Sequence, residues 1–383
     1  MIEAQIIIPP SPFLTDELVF PQLGPLYIKR FCEERSQGNI RVDIIRINSK
    51  KKIDPFLPTG FSCTTPQYAF AKKAHMMFYD KTIVGGPHCA HYDVSKDKWN
   101  FIIKGDGCFP FYDILNGNQP IEQYDPVDQL PYRDESLHDY KYYLDGNPTT
   151  VMMTARGCPN NCYFCEDAKK AVRLKSIGIV KKELKECVDL GFSGIMFFDD
   201  LFCINLSRVK KLCDIIKPFK IKFRCFAHAR NFSREMAQLL KGAGVIEIGF
   251  GAEHADQRIL DLINKKTTVK QNYDLVKTAH EFGIRVKAFT MLGLPGENKV
   301  SVEALRKFIT TSGIDDYDVT VYYPYRGTYI ADHPNQFDLQ VEKNGSGFYK
   351  GRGGISEYTV RTSALTSQQI QIIQRELLLY KKR

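Results

Sequence analysis

No stretch of the 383-residue chain reaches the roughly 20 consecutive apolar residues that a membrane span requires. The opening, MIEAQIIIPPSPF, lacks the positive start of a secretory leader, and prolines break its apolar run. A cytoplasmic protein is expected. The 11 cysteines are odd in number and scattered, which excludes a fully paired disulfide scaffold and fits a reducing compartment. No low-complexity tract and no short-period repeat is present, so solenoids are excluded. No RNA-binding module is recognisable, although the net charge of +9 (53 Lys and Arg against 44 Asp and Glu) would tolerate an acidic partner. The basic residues are spread out and read as a solvated surface.

What is present is alternation. Residues 1–120 read as strands and helices in turn. AQIIIPP is a strand stopped by prolines, GPLYIKRFCEER has helical spacing, and IRVDIIRI is a strand. A proline-led helix (PQYAFAKKAHMMF) and a strand ending in a Gly-Gly turn (KTIVGGPH) follow. Such alternation predicts a parallel, doubly wound sheet. Residues 121–148 are acidic, proline-punctuated and aperiodic, and read as a linker. Six strand–helix units follow over 149–325, predicting a partial barrel with its chemistry at the C-terminal strand ends. Residues 326–383 read as an extension capping the barrel. It includes the glycine-rich NGSGFYKGRGG and a last helix opened by a Thr366–Gln369 capping box.

The densest chemical signal is RGCPNNCYFC at 156–165. It places Cys158, Cys162 and Cys165 in the spacing C-x-x-x-C-x-x-C directly after an apolar strand. A closed zinc site would want a fourth Cys or His nearby, and EDAKKAVRLK supplies none. Three thiolates can instead hold three irons of a [4Fe–4S] cluster and leave the fourth iron open to a reactant.

With this loop at the end of the first barrel strand, the chain resembles the radical S-adenosylmethionine (SAM) enzymes. The segments GIMFFDDLF, VIEIGFGAEHADQRILDLINKKTTVKQN and IRVKAFTMLGLPGE support the resemblance. IIIPPSPFLTDELVFPQLGPLYIKRF and GGPH are similar to the subgroup with an N-terminal cobalamin-binding domain. The implied fold is α/β: a Rossmann-like first domain, a (β/α)6 partial barrel and the C-terminal extension. The implied cofactors are a [4Fe–4S] cluster on Cys158, Cys162 and Cys165, and SAM, which the reduced cluster cleaves to a 5′-deoxyadenosyl radical. Carried over residue by residue, Phe164 packs near adenine. Asp199 and Asp200 meet the methionine amino group, and Glu253 lies near the ribose. Leu292, Gly293 and Pro295 line the adenine, and Arg224 and Arg230 serve the carboxylate or the substrate. Cys203 and Cys225 are the best-placed candidates for a catalytic thiol that returns hydrogen to a substrate radical.

The first domain departs from the subgroup. It has no D-x-H-x-x-G loop to ligate cobalt, and the unit around INSKKKIDPFLP reads as though a helix had been deleted. A shortened sheet offers less crevice at its switch point, so cobalamin is admitted as a cofactor but not favoured. The expected reaction is hydrogen abstraction from a carbon of a natural-product or peptide substrate, ending in epimerisation, dehydration, rearrangement or oxidation. The alternatives are a cobalamin-dependent methyltransferase and a nucleic-acid-modifying enzyme. An external reductant such as flavodoxin or ferredoxin is the expected partner.

Overall fold

The computed structural model describes residues 1–380 apart from 13, 15, 47–50, 122–124 and 343–359. It divides into two compact units, Met1–Tyr140 and Lys141–Arg383. Among the described residues no helix is long and apolar enough to cross a membrane.

Unit 1 contains β1 (Ile2–Ile8), α1 (Leu23–Arg35), β2 (Ile40–Arg46), β3 (Thr59–Ser62), α2 (Thr65–Ala74), β4 (Thr82–Gly85), α3 (Pro87–His91), β5 (Phe101–Ile102) and α4 (Cys108–Leu115). The five strands are parallel in the order β2-β1-β3-β4-β5, one of the two common doubly wound orders. β1 is an interior strand whose second half is buried on both faces, which is why it ends in the apolar run Ile6–Ile8. Ala4 and Ile6, with Ile40, Val42 and Ile83, pack against Cys32 of α1 and Phe111 and Ile114 of α4. Ile7, Phe61 and Val84 pack against Tyr68 and Ala71 of α2, with Trp99.

Among the described residues no helix joins β2 to β3, as the sequence predicts. The side chains compensate. On the alternate positions of β1 and β2 stand Glu3, Gln5, Arg41 and Asp43, where a covering helix would demand apolar residues. Buried Gln5 donates to the Asp54 carbonyl and to Thr59 Oγ1, so the loop before β3 does part of the missing helix's work.

The predicted linker is not a free connection. Asp125 is buried and accepts from the backbone N–H groups of Cys108 and Phe109 at the start of α4, and Tyr132 N donates to Leu26 O. These residues belong to unit 1. The linker's last residues open unit 2 instead, as the hairpin of β6 (Tyr143–Leu144) with β7 (Asn147–Met152).

In unit 2 the parallel strands are β7, β10 (Gly194–Phe197), β11 (Lys222–Ala227), β12 (Val245–Glu253), β13 (Arg285–Leu292) and β14 (Asp316–Val321). They lie side by side in chain order, with β6 antiparallel at one edge. The intervening helices are α5 (Ile177–Asp189), α6 (Leu206–Ile216), α7 (Arg234–Ala243), α8 (Gln257–Leu262), α9 (Val269–Glu281) and α10 (Lys299–Thr311). Right-handed crossovers put such helices on one side and curl the sheet into a partial barrel. The small hairpin β8 (Ala155–Arg156) with β9 (Arg173–Leu174) frames the cysteine loop.

Burial alternates along the strands. On β11, Phe223, Cys225 and Ala227 are buried, while Lys222, Arg224 and Phe226 are not. The extension contributes α11 (Tyr329–Asp332), β15 (Gln340–Val341), β16 (Val360–Arg361) and α12 (Ser367–Leu378), whose capping box forms as predicted. It caps the C-terminal end of the barrel, where Ile330 N donates to Tyr163 O and Thr362 Oγ1 to the Glu297 carbonyl. Its last helix also flanks the edge strand: Tyr317 Oη donates to Leu377 O at 2.6 Å and Gln374 Nε2 to Val319 O at 2.8 Å. An edge strand presents a side that a helix can cover, which an interior strand does not. NGSGFYKGRGG lies outside the described residues.

Candidate active site

β7 ends at Met152 and the chain turns through Thr154 into the cysteine loop. Two adjacent carboxylates fix that turn. Asp199 is buried, and its two oxygens accept from Thr154 N and Thr154 Oγ1. Asp200 Oδ2 accepts from Gly157 N at 2.9 Å. Gly157 has φ of +87°, and a Cβ there would strike the Ala171 carbonyl, so only glycine lets the two arms of the loop approach. From behind, Arg208 Nη2 donates to Thr154 O at 3.2 Å and to Lys175 O at 2.7 Å. Lys175 pairs with fully buried Glu183 at 2.6 Å. The Asp-Asp dipeptide thus holds up the base of the loop, and the N-cap of the following helix is Asn205.

Burial pushes the Asp199 carboxyl up to about 6, against the pull of the Thr154 hydrogen bonds. The folded value lies above the unfolded one, so Asp199 favours the folded state most at low pH. That advantage is lost as pH rises from about 4 through about 6. In Asp199→Asn the slope contributed by this residue should vanish. Urea unfolding from pH 4 to 7 should then show wild type losing on the order of 2–3 kcal/mol relative to the variant across that window.

The loop is gripped from the far side by the segment after α8. Tyr163 N donates to Ile263 O at 2.9 Å, and Asn264 Nδ2 to Asn161 O at 2.6 Å. From the extension, Ile330 N donates to Tyr163 O, and the Tyr329 ring stacks on Tyr163 at 4.2 Å. Lys265 is the residue that sequence reasoning missed. Its buried ammonium pairs with Glu253 Oε1 at 2.6 Å and lies 5.8 Å from the Phe164 ring centroid. Lys265 therefore joins two elements the sequence left separate: the cysteine loop, at Phe164, and the end of β12. Glu253 holds φ of +58° at an irregularity in the β12–β13 register, so its position is imposed by the surroundings.

Burial raises the Cys162 thiol, and the Lys265 ammonium pulls it back down. Cys165 is pushed up to about 12 by burial, opposed first by a hydrogen bond from Asp167 N–H. That N–H donates to Cys165 Sγ at 3.4 Å, and Asn160 Nδ2 donates to Cys158 Sγ at 3.5 Å. Donors and a cation turned toward sulfur suit thiolate ligands. Among the described residues no three His, Cys, Asp or Glu side chains gather as a single-ion site. A single ion would draw each sulfur to about 2.3 Å, whereas a cluster takes one cysteine per iron. The residues present fit the cluster.

The other sequence candidates fall in different places. Leu292 ends β13 and Pro295 lies just beyond it, both buried, and Gly293 N donates to Glu297 Oε2 at 2.6 Å. Buried His254 pairs with the other oxygen of Glu297 at 3.1 Å, and Thr362 Oγ1 donates to the Glu297 carbonyl, so this loop is fixed by β12 and by the extension. Arg224 is on the less buried face of β11 and pairs with Glu247 at 2.9 Å. Arg230 is exposed, next to a His228 whose ring burial drives down to about 3. Cys225 lies on the opposite face from Arg224. It is fully buried against Cys203 and Cys213, the latter on α6, and burial raises its thiol well above the ordinary range. Strand parity turns Cys225 toward the helix layer, and Cys203 packs with it. Neither joins the constellation around the cysteine loop.

In unit 1 the cavity at the ends of β1, β3 and β4, lined by Ile6, Gly60, Ser62, Gly85 and Phe111, holds about 40 Å³. Gly86 (φ +97°) is glycine because a Cβ would come within 2.7 Å of the Cys63 carbonyl oxygen. His88 is stacked between Tyr68 and Tyr92 at 4.0 and 4.6 Å, its Nδ1 is 3.2 Å from Thr65 Oγ1, and burial lowers it to about 4. Unit 1 therefore has the flavodoxin-like doubly wound strand order, and the histidine that follows its glycine turn, His88, is packed between two tyrosines.

Comparison with known proteins agrees with this geometry. The sequence profile described as "Radical SAM superfamily" matches residues 152–309. A protein of Pyrococcus horikoshii named "Uncharacterized methyltransferase PH0819" is 29% identical, over 88% of this chain and 84% of its own. The "Anaerobic magnesium-protoporphyrin IX monomethyl ester cyclase" of Cereibacter sphaeroides is also 29% identical, over 43% of this chain and 28% of its own. In fold, the chain is similar to the radical SAM methyltransferase TsrM of Kitasatospora setae, solved with cobalamin and a [4Fe–4S] cluster bound. The TM-score is 0.69 at 13% identity, covering 90% of this chain and 81% of that one.

Proposed function

We propose that the chain, whose residues 152–309 match the radical SAM superfamily, is a radical SAM methyltransferase acting on a carbon of a small molecule, with cobalamin as its second cofactor. The observation that carries this reading is the similarity to PH0819, named a methyltransferase, across 88% of the chain, both units included. The fold of TsrM, likewise matched across both units, supports it. Hydrogen abstraction, favoured by the sequence alone, becomes the second reading. The observations in its favour are that, among the described residues, no helix joins β2 to β3, and that His88 is packed between Tyr68 and Tyr92.

Cys158, Cys162 and Cys165 hold three irons. Lys265, paired with Glu253, sets positive charge beside two of those sulfurs and fixes Phe164. The loop from Leu292 to Pro295, locked by Glu297, supplies an apolar wall for the adenine. Arg224 with Glu247 forms a paired polar patch on the less buried face of β11, suited to orienting a substrate. When bound, the cluster supplies one electron to open S-adenosylmethionine, and cobalamin provides a carrier for its methyl group. That electron comes from outside the chain, so a low-potential electron-transfer protein is the expected partner.

The test is anaerobic reconstitution, then a cobalamin titration read at the corrin bands and product analysis under strong reductant. About one cobalamin per chain, with S-adenosylhomocysteine among the products, is expected. No binding, with 5′-deoxyadenosine as the sole product, would overturn methyl transfer and leave hydrogen abstraction.

A further inference from the structure

A cavity of about 180 Å³ in unit 1 has no part in the chemistry above. It lies at the C-terminal ends of β1 and β2, on the side of β1 away from the 40 Å³ crevice. Its apolar lining is Ile8, Pro9, Leu14, Val19 and Phe20, and its polar lining is Ser11, Glu17, Gln22, Arg46, Gln67 and Tyr140.

Among the described residues, two of those polar groups are buried without a hydrogen-bond partner. Ser11 is 8% exposed and its Oγ has none; Arg46 Nη1, also buried, has none either. The rest of the lining is held firmly. Ser11 N donates to Glu17 Oε1 at 2.8 Å, and Gln67 Nε2 donates to Pro9 O at 2.6 Å. The Arg46 guanidinium lies 4.5 Å from the Tyr140 ring centroid, and burial keeps that phenol protonated. An unsatisfied buried donor is a net cost to the fold, and a fixed guanidinium is the side chain best shaped to receive a carboxylate. An alanine at 11 and a methionine at 46 would fill the same wall without that penalty. Two residues of one hollow's lining that each carry an unbonded buried donor point to a ligand that draws those donors in and completes them. The ends of parallel strands are also where open α/β sheets bind ligands.

We propose that this cavity binds a small carboxylate with an apolar body of about ten to twelve heavy atoms, the size a hollow of this volume admits. The carboxylate bonds Arg46 Nη1 and Ser11 Oγ, and the body lies against Ile8, Leu14, Val19 and Phe20. Glu17 is the one acid in the lining, so the carboxylate has two sources that can be told apart: a simple organic acid, or an α-amino acid whose ammonium meets Glu17.

The test is calorimetric titration of the full-length protein with 3-phenylpropanoate and, separately, with phenylalanine. At ordinary ligand efficiency a Kd of about 1 mM or tighter is expected for at least one. Ser11→Ala removes no intramolecular bond of the hydroxyl, so it should fold as wild type and bind about 3–10-fold more weakly. Arg46→Met should bind at least about 30-fold more weakly. A thermal melt of each variant without ligand separates loss of binding from loss of fold. Tighter phenylalanine binding that Glu17→Gln abolishes assigns the amino acid; equal binding of both probes assigns the simple acid. Binding of neither probe at 10 mM, or undiminished binding by both folded variants, would overturn the proposal. Because neither probe needs iron or SAM, failure here leaves the methyltransferase reading untouched, and failure of that reading leaves this site standing.

Discussion

Cys162→Ala is expected to leave a folded protein with almost no iron or acid-labile sulfide after anaerobic reconstitution, against about four of each in wild type. SAM cleavage under strong reductant should fall below detection. The reason is arithmetic. A cluster that leaves one iron open for the reactant has three protein anchors and no spare, so removing one leaves two. Cys162 is the most buried of the three and the one most directly opposed by the Lys265 ammonium, so no water-exposed thiol can take its place. Cys203→Ala and Cys225→Ala are the controls. Both thiols pack in the layer between sheet and α6 and should keep full iron content. Iron and sulfide per chain, read together with far-ultraviolet circular dichroism, check all three. Retention of the cluster in Cys162→Ala would remove the basis of the site.

That contrast also marks what the sequence discloses. The spacing of Cys158, Cys162 and Cys165 is local, and local spacing survives folding unchanged. So does the strand–helix alternation, and so does the capping box at Thr366. The missing helix after β2 was visible as a shortened stretch, and its compensation was visible too, in the polar residues at alternate positions of β1 and β2. Parity was present in KFRCFA: Phe223, Cys225 and Ala227 share one face, Arg224 and Phe226 the other. Reading it would have turned Cys225 away from the site. Other features depend on contacts between distant segments. Asp199 and Asp200 read as contacts to the methionine amino group, because nothing in the sequence says that Thr154 and Gly157 will stand opposite them, about 45 residues earlier. Asp125 read as part of a linker because its partners, the N–H groups opening α4, precede it by 16 and 17 residues. Lys265 was the least visible. NKKTT has the composition of an exposed turn, and only the grip of Ile263 and Asn264 on the cysteine loop buries the lysine between them and Glu253.

Lys265→Met should therefore have the second-largest effect. Removing one partner of a buried ion pair strands the other, and Glu253 is only 8% exposed. The loss should be about 3–5 kcal/mol, as found for broken buried pairs. Replacing both partners, Lys265→Met with Glu253→Gln, removes the uncompensated charge and should restore most of that stability. Function should divide differently. The double variant regains its fold yet still lacks positive charge beside Cys162 and Cys165, so its cluster should load more slowly and its affinity for SAM should stay at least about 10-fold below wild type. Urea unfolding of the two variants, combined with equilibrium binding of SAM to the reconstituted proteins, separates the two roles. Recovery of binding along with stability would reduce Lys265 to a packing residue. Stability without binding identifies it as the charge that holds the site's anionic groups.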